Sequence, residues 1–315
     1  MNKILVTGGA GNIGSALVEK LLKSEDNNVI IVDNLSTGFL SKLPREKNER
    51  WDFIKSDVNN FNAISTIMNS YQFDYVFHFA AVVGVIRTQE NPLSVLSDIK
   101  GIRNVLDCSK NTSVKRVFFS SSSEVYGEPV SLPQHEHETP LNSRLPYAVV
   151  KNVGEAYCRS YNKEYNLNYS IFRFFNTYGP NQSTDFVVAR FLAAALKNQD
   201  ITIYGDGLQT RTFTFVDDTI DTCLGCFYNN LHVNDVINIG SDQLCTILDL
   251  AKLIITITNS NSNIIHLPPL KDGDMTRRQP DNSNMKIVLN RPLISLEEGL
   301  RKMIASKYFL SSIGL

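Results

Sequence analysis

Short apolar runs alternate with longer amphipathic segments over the first 175 residues of the chain. Six runs of about five residues, rich in Val, Ile and Phe, each predict a β-strand: KILVTG, NVIIVDN, WDFIKSD, YVFHFAA, RVFFSSS and YSIFRFFN. The amphipathic segments between them predict helices at Ser15–Ser24, Phe61–Tyr71, Val95–Asn111 and Tyr147–Tyr165. Because the strands are apolar throughout rather than alternating, we expect a sheet that is covered on both faces.

Strand, helix and strand repeated in this order predict parallel pairing with right-handed crossovers. The fold class is therefore α/β, a Rossmann-type doubly wound parallel sheet, with residues 1–175 as the cofactor-binding domain. Beyond residue 176 the rhythm becomes irregular, and loops such as YGPNQSTD, YGDGLQTR and RRQPDNSN separate shorter helices. We expect residues 176–315 to form mainly a smaller, interleaved substrate-binding lobe, with some later segments returning to the first domain.

Composition narrows the possible classes of protein. The formal net charge of −1 gives no basic surplus that would indicate nucleic acid or an anionic membrane as a partner. The opening MNKILVTGG runs straight into a strand and lacks the pattern of a secretory signal, and no apolar run reaches the roughly 18 residues that span a bilayer. Five irregularly spaced cysteines indicate reduced thiols. We therefore expect a cytoplasmic protein that binds neither nucleic acid nor membrane.

Two short motifs resemble metal sites, but neither predicts one. Cys223 and Cys226 form a CxxC pair within a predicted helix, and no second pair supplies the other two ligands of a zinc site. We therefore expect both thiols to pack in the core. His135 and His137, in QHEHE, are expected to lie on an exposed loop.

The chain opens with a glycine-rich turn between a strand and a helix. Gly8, Gly11 and Gly14 lie in TGGAGNIG, after the strand KILV and before a helix that begins near Ile13. Glycine permits a tight turn and close approach of the backbone, and a helix N-terminus offers N–H donors to a pyrophosphate. This context predicts a dinucleotide-binding loop that also includes Asn12.

An acid follows the second strand at the spacing that the same motif requires. Asp33 lies 19 residues after Gly14 (33 − 14), where a carboxylate accepts the ribose hydroxyls and repels a 2′-phosphate. This favours NAD over NADP. The polar loop that follows is expected to line the ribose edge, and the segment after the third strand to meet the adenine; these residues are Asn34, Ser36, Thr37, Gly38, Asp57 and Val58.

Tyr147 and Lys151 stand four residues apart, on one face of a predicted helix. A phenol with an ordinary pKa of about 10 is a poor base at neutral pH. A neighbouring ammonium and the positive nicotinamide ring favour the phenolate and would lower that pKa. Ser122 ends the strand RVFF, and its hydroxyl would lie beside the nicotinamide, where it can hydrogen-bond the substrate hydroxyl.

These segments occur together with HFAA, SSSSEVYGEP, RFFNTYGP and YGDGLQTRTFTFVDD. In this order they resemble the extended short-chain dehydrogenase/reductase family, specifically its nucleotide-sugar epimerase, dehydratase and decarboxylase members. The resemblance implies that Tyr147 is the general base, that Lys151 binds the nicotinamide ribose and that Ser122 completes the triad. It also implies that Phe79, Ala80 and Ala81 contact the cofactor. The substrate-binding residues that it implies are Asn176, Val187, Tyr204, Arg211 and Arg278, with Asn176 and the two arginines on the diphosphate.

The resemblance implies an enzyme that oxidises a sugar transiently at C4, using tightly bound NAD, with a UDP-sugar as the usual substrate. It also implies a homodimer, in which Val95–Asn111 and Tyr147–Tyr165 of each subunit would form a four-helix bundle. We expect a UDP-sugar 4-epimerase, and the alternatives are a UDP-glucuronate decarboxylase and, less favoured, a 4,6-dehydratase.

The Ser-Glu pair and the loop after the GP motif bear on the choice between these reactions, and Asp98 is a separate departure from the family. Glu124 is a fourth candidate catalytic residue. Ser123 and Glu124 match the Ser-Glu pair of the decarboxylases, whereas 4,6-dehydratases carry an Asp-Glu pair that supplies a proton donor. The segment STDFVVARF lacks the arginine that decarboxylases place after the GP motif, although Arg144 and Arg277 remain possible partners for a carboxylate. Asp98, in SDIKG, stands where relatives usually have Asn, and a carboxylate near the nicotinamide would alter cofactor affinity.

Two other classes of protein also remain open. One is a non-catalytic NAD-binding sensor or scaffold, which would have no need of the intact triad. The other is a simple alcohol dehydrogenase that releases NADH.

Overall fold

A computed structural model describes residues 1–45, 48–84, 88, 90–269 and 277–315. Its central feature is a seven-stranded parallel sheet in the order β11-β6-β5-β4-β1-β2-β3. The strands are β1 (Asn2–Thr7), β2 (Asn27–Asp33), β3 (Trp51–Lys55), β4 (Tyr75–His78), β5 (Arg116–Ser122), β6 (Tyr169–Phe174) and β11 (Asp235–Ile239). The helices between the first six strands are α1 (Asn12–Leu21), α2 (Phe61–Tyr71), α3 (Pro92–Asn111) and α4 (Pro146–Tyr165). The predicted α/β fold with a doubly wound parallel sheet is confirmed.

Three pairs of short strands and six further helices complete the described chain. The strand pairs are β7 (Thr177–Tyr178) with β10 (Thr214–Phe215), β8 (Ile201–Tyr204) with β13 (Ile264–Leu267), and β9 (Thr210–Thr212) with β12 (Leu244–Thr246). The helices are α5 (Val187–Leu196), α6 (Val216–Tyr228), α7 (Ile247–Thr258), α8 (Ser283–Leu289), α9 (Leu296–Ile304) and α10 (Lys307–Ser312).

The sheet is buried on both faces because successive side chains of a strand point in opposite directions. In β1, Ile4 and Val6 belong to one apolar cluster, with residues of α1, α5, α6 and α7. Leu5, between them, belongs to the other cluster, with residues of α2, α3 and α4. The continuous apolar runs in the sequence therefore reflect two cores rather than one.

The last strand of the sheet comes from the second half of the chain. β11 pairs in parallel with β6, with Val236 opposite Ile171. It is one of the later segments that join the sheet of the first domain, while the division at residue 175 stays a prediction.

The two suspected metal motifs lie in ordinary structural positions. Cys223 and Cys226 are fully buried on α6, within the apolar cluster. His135 and His137 have exposed side chains next to Asp281 and Asp235. Among the described residues, no group of three or more His, Cys, Asp or Glu side chains is placed to hold a metal ion. Within the same described ranges, no helix combines the length and the apolar character needed to cross a membrane.

A cluster of ion pairs holds α6 against the segment that leads to α9. The side chain of Asp218 is 1% exposed and accepts hydrogen bonds from Arg291 Nη1 at 2.6 Å and from the Ile294 N–H at 2.8 Å. Burial raises the pKa of Asp218 above its ordinary value, although Arg291 and the Ile294 N–H act against this rise. Arg291 Nη2 also contacts Asp221, which lies 2.6 Å from Lys20 Nζ on α1. Arg291 therefore compensates a carboxylate that is out of contact with water.

We predict that Arg291→Ala destabilises the protein by about 3 kcal/mol, because it leaves the buried Asp218 carboxylate without its cation. Denaturant unfolding of the wild type and the variant measures this difference. The matched control is Arg301→Ala, which breaks an exposed pair with Glu297 in which the side chains are 59% and 52% exposed. The control should cost no more than about 0.5 kcal/mol. Equal losses in the two variants would contradict the prediction.

Candidate active site

A cleft of about 770 Å³ lies at the carboxyl ends of the central strands. Loops that follow β1, β2, β3, β4, β5 and β6 contribute to its walls, together with the start of α4 and with Arg278. In doubly wound sheets this edge is where ligands bind, because the strand order reverses there and leaves a crevice between diverging loops. Most of the residues singled out in the sequence meet at this place.

The glycine turn is as tight as the dinucleotide motif requires. Gly8 has a φ of +73°, and a Cβ on Gly14 would lie 2.2 Å from the Gly8 carbonyl oxygen. The Gly11 N–H donates to that same carbonyl at 3.1 Å, and α1 begins at the next residue, Asn12. Asn12 Oδ1 is buried without a hydrogen-bond partner among the described residues. A helix N-terminus with an unsatisfied polar atom beside it fits a bound pyrophosphate.

Asp33 is held in place at the end of β2 beside this turn. Its carboxylate is buried and accepts hydrogen bonds from the Ala10 N–H at 3.0 Å and the Leu35 N–H at 2.8 Å. Gly38 packs against it, since a Cβ there would come within 2.9 Å of Asp33 Oδ1. The fixed carboxylate and the turn thus form one end of the cleft, as the motif predicts.

The polar loop after β2 and the segment after β3 meet each other at the same end. Asn34 Nδ2 donates to Asp57 Oδ2 at 3.3 Å, and Asp57 Oδ1 accepts from the Asn59 N–H at 2.8 Å. The predicted cofactor residues that line the cleft are Gly8, Gly11, Asn12, Ile13, Gly14, Asp33, Asn34, Ser36, Thr37, Asp57, Val58, Phe79, Ala80, Ala81, Tyr147 and Lys151.

Lys42 also lines the cleft and was not predicted from the sequence. Burial lowers the pKa of Lys42, and the nearby charge of Asp33 raises it. Lys42 lies on a single 3-10 turn, Leu40–Lys42, and nothing in the sequence distinguishes it from a surface lysine. The structure thus adds a lysine to the end of the cleft that contains Asp33.

The three predicted catalytic residues converge where β5 ends and α4 begins. Lys151 is buried, and its Nζ donates to the Ser120 carbonyl at 2.6 Å and to Ser120 Oγ at 3.2 Å. The same Nζ lies 5.7 Å from the centroid of the Tyr147 ring. Tyr147 and Ser122 line the same cleft, and the Ser122 hydroxyl acts to lower the pKa of the Tyr147 phenol. Tyrosine, lysine and serine therefore form one contiguous group inside the cleft.

Burial dominates the ionisation of this group. It lowers the pKa of Lys151 to about 8, with Asp98 acting in the opposite direction. Burial also raises the pKa of Tyr147, as does the charge of Glu124, while Ser122 and Arg278 lower it. This direction differs from the lowered phenol pKa expected from the sequence, because removing the phenolate from water outweighs the surrounding favourable contacts.

Arg278 reaches the same place from the last part of the chain. It is buried, and its Nη1 and Nη2 each lie 3.4 Å from Glu124 Oε1. Two backbone hydrogen bonds hold the adjoining segment, from the Gln134 N–H to the Gln279 carbonyl and from the Asp281 N–H to the Gln134 carbonyl. Arg278 Nε has no partner among the described residues, so the guanidinium retains a donor for a ligand.

The other predicted substrate residues are divided between the cleft and its surroundings. Asn176 and Val187 line the cleft, and Asn176 Nδ2 donates to the Thr212 carbonyl at 3.0 Å. Tyr204 lies at the end of β8, with the Arg190 guanidinium 5.7 Å from its ring centroid. Arg211 is buried on β9 and donates to the Thr210 carbonyl. The described lining of the cleft does not include Tyr204, Arg211 or Gly38.

Further lining residues were not predicted. The loop after the GP motif contributes Gln182, Ser183, Asp185 and Phe186, and the chain after β9 contributes Phe213. The buried Gln182 Oε1 has no partner among the described residues. The motif RFFNTYGP was the signal that could have located the first group, because these residues follow it directly.

A buried ion pair beneath the cleft connects the helix and strands that carry these groups. Glu155, one turn beyond Lys151 on α4, accepts from Arg173 Nε at 2.8 Å and from Ser121 Oγ at 2.6 Å. Arg173, on β6, donates through Nη1 to the Tyr126 hydroxyl at 2.8 Å. Tyr126 ends the 3-10 helix Ser123–Tyr126 that carries Glu124. The pair therefore fixes α4, β6 and the 3-10 helix with Glu124 relative to one another.

Comparison with known proteins agrees with this geometry. The model of the NAD dependent epimerase/dehydratase family matches residues 4–240. The UDP-N-acetyl-alpha-D-glucosaminuronate decarboxylase of Bacillus cytotoxicus is 35% identical over 96% of each chain. The UDP-glucose 4-epimerase of Thermotoga maritima, solved with UDP-glucose, is 33% identical over 99% of each chain, with a TM-score of 0.91.

A third similar protein was solved with its cofactor. The UDP-glucuronic acid 4-epimerase of Bacillus cereus, in complex with UDP-glucuronic acid and NAD, is 30% identical over 98% of this chain and 99% of its own, with a TM-score of 0.88. NAD is the cofactor of this family, and the glycine turn, the fixed Asp33 and the unsatisfied Asn12 oxygen in this chain fit it.

We predict that Gly14→Ala weakens NAD binding at least about 100-fold, because the new Cβ would displace the Gly8 carbonyl and distort the turn. Calorimetric titration with NAD measures the affinity. The control is Gly225→Ala on α6, where the Cβ would meet Val288 rather than any residue of the turn. That variant should lose stability but keep its affinity. NAD binding to Gly14→Ala at the strength of the wild type would contradict the assigned role of the turn.

Proposed function

Since this chain belongs to the NAD dependent epimerase/dehydratase family, we propose that it is a UDP-sugar 4-epimerase that works through a transient 4-keto sugar. The observation that carries the proposal is the convergence of Ser122, Tyr147 and Lys151 in the cleft, next to the glycine turn. A non-catalytic sensor or scaffold has no need to bury an amine and a phenol side by side, because removing both groups from water is unfavourable in free energy.

In this proposal, side chains of the protein transfer one proton and position the substrate. Tyr147 takes the proton of the C4 hydroxyl, and Ser122 hydrogen-bonds the same oxygen. The glycine turn and Asp33 would hold NAD, which would supply the hydride acceptor for the oxidation at C4 and the hydride for the later reduction. Lys151 is anchored on Ser120 and presents its positive charge to Tyr147 and to the nicotinamide ribose.

The diphosphate of the substrate is proposed to lie between Arg278 and Asn176. Arg278 retains a free donor, and Asn176 holds the Thr212 carbonyl directly beside Arg211. Guanidinium groups suit a diphosphate because they offer paired donors in one plane. UDP is supported as the nucleotide by the UDP-sugar names of the relatives and by the UDP-glucose in the Thermotoga structure. Tyr204 and Val187 are kept as proposed contacts of the substrate.

A UDP-glucuronate decarboxylase is the second candidate, favoured by one specific observation. Glu124 and Ser123 line the cleft beside Ser122, and Arg278 contacts Glu124. A 4-keto uronate is a β-keto acid, so decarboxylation requires little beyond a partner for the C6 carboxylate. Arg144 and Arg277, the candidates for that partner, are exposed and are not part of the described lining, which weighs against this reaction. A 4,6-dehydratase is less favoured, because Ser123 stands where that reaction needs an acid.

One experiment tests these assignments together. The protein is incubated with UDP-glucose, UDP-N-acetylglucosamine and UDP-glucuronate, and products are identified by mass spectrometry and NMR. We expect the C4 epimer of one of these sugars with no net NADH, and Tyr147→Phe should reduce turnover by about 1,000-fold or more while NAD stays bound.

The other outcomes identify the alternatives. Release of carbon dioxide from UDP-glucuronate would establish the decarboxylase, and accumulation of NADH would indicate an alcohol dehydrogenase. The absence of any product, or full turnover in Tyr147→Phe, would contradict the proposed mechanism.

We also propose that the protein forms a homodimer through α3 and α4 and works in the cytoplasm. The two helices pack side by side, and each leaves apolar side chains exposed near its first turns. Leu93 is 78% exposed and Leu96 37% on α3, and Val149 is 37% exposed on α4. Apolar side chains clustered at one end of two adjacent helices are typical of an association surface. All five cysteines are unpaired, which supports a reducing compartment.

We expect the double substitution Leu93→Glu and Leu96→Glu to convert a dimer into a monomer, because it places charge in the apolar surface. Sedimentation velocity of the wild type and the variant measures the change. Ile287→Glu on α8, where the side chain is 74% exposed, is the control and should sediment like the wild type. A monomeric wild type at micromolar concentration would contradict the proposed dimer.

A further inference from the structure

A second carboxylate lies inside the cleft, on the helix that faces Lys151. Asp98 belongs to α3 and is buried, and it lines the cleft together with Tyr147 and Lys151. Its Oδ2 accepts a hydrogen bond from the Val82 N–H at 2.6 Å, in the segment that follows β4. The carboxylate is therefore held in one position by the backbone rather than being free to turn toward water.

Lys151 has little else to balance its charge. Its two hydrogen bonds go to the carbonyl and hydroxyl of Ser120, which are both neutral. α3 packs along α4, and Gly154 faces Ile102 across this contact. Asp98 and Lys151 each lie about one turn earlier on their helices, so the carboxylate and the amine lie at the same level of the cleft wall. The charge of Asp98 raises the pKa of both Lys151 and Tyr147. A buried ammonium without a counter-charge tends to lose its proton, so Asp98 has a direct effect on the state of Lys151.

Other titratable groups near Asp98 and Lys151 lie on the neighbouring elements. The charge of Asp57, after β3, raises the pKa of Asp98, and Asn59 lowers it. His78, on β4, is fully buried, and burial together with Lys151 lowers the pKa of His78 to about 3, so it is neutral at working pH. Glu124 and Arg278 act on Tyr147 and are paired with each other. These groups are unchanged when Asp98 alone is replaced.

We propose that Asp98 is the counter-charge of Lys151 and that it sets the pH window in which Tyr147 and Lys151 work together. The inference rests on the proposed role of Tyr147 as the base. Asp98 is a positioning residue in this proposal, since it acts on the reaction only through the charge states of its two neighbours.

The direction of the effect follows from the signs of the charges. A negative charge favours the protonated form of both Lys151 and Tyr147. Removing it lowers both pKa values, so Tyr147 becomes available as a base at lower pH and Lys151 loses its proton at lower pH. Both limbs of the pH profile of kcat/KM therefore move toward acid, which a purely structural role for Asp98 would not produce.

The test is Asp98→Asn, which keeps the shape of the side chain and an oxygen for the Val82 N–H. We expect both limbs of the profile of the NAD-bound enzyme to move by about one pH unit. On the acid limb, kcat/KM should then rise up to about tenfold above the wild type. Asp52→Asn removes the same charge from an exposed position on β3, outside the described lining of the cleft, and should leave both limbs in place. Limbs that do not move in Asp98→Asn would overturn the proposal.

A second measurement needs no substrate and so separates this inference from the proposed function. NMR of NAD-bound protein labelled at lysine Cε follows the titration of Lys151, whose signal is identified by its loss in Lys151→Met. The midpoint should fall by about one unit in Asp98→Asn. If that variant does not fold or hold NAD, Asp98→Ser removes the same charge with a smaller side chain. An unchanged midpoint overturns the proposal whether or not any UDP-sugar is converted.

Discussion

The buried ion pair between Glu155 and Arg173 holds the active site together. Glu155 lies on the catalytic helix, Arg173 on the neighbouring strand, and each is nearly inaccessible to water. Burial raises the pKa of Glu155, but the hydrogen bonds from Arg173 and Ser121 outweigh it, so the pKa lies below its ordinary value. Breaking a pair of this kind by removing one partner costs about 3–5 kcal/mol, because the other charge is left uncompensated. α4 is thereby fixed against β5 and β6.

The position of every reacting group follows from this constraint. One helical turn before Glu155, Lys151 reaches Ser120 at the end of β5. One turn before that lies Tyr147, which lines the cleft together with Ser122. On the other side of the pair, Tyr126 connects Arg173 to Asn238 on β11, whose amide also donates to the Gln134 carbonyl. The segment with Arg278 is bound to Gln134, so a single polar network supports both ends of the proposed substrate site.

The features that depend on local sequence patterns were predicted from the sequence. The first six strands, the glycine turn and the Tyr147–Lys151 spacing all depend on residues that are close along the chain, and the structure brings them together as expected. The positions of Lys42 and Gln182 in the cleft could not be predicted, because they depend on how loops fold back over the sheet. The direction of the Tyr147 pKa was also missed, since burial is a property of the whole fold and no spacing along the chain reports it.

β11 lies late in the sequence, and this affects folding of the chain during synthesis. Until residue 239 has been synthesised, β6 has an unpaired edge and the Tyr126 hydroxyl lacks its acceptor on Asn238. An open edge of apolar sheet tends to associate with other chains. A fragment that stops after the sixth strand, although it contains the whole glycine turn and the triad, should therefore aggregate on the ribosome or in isolation rather than survive as a small cofactor-binding protein.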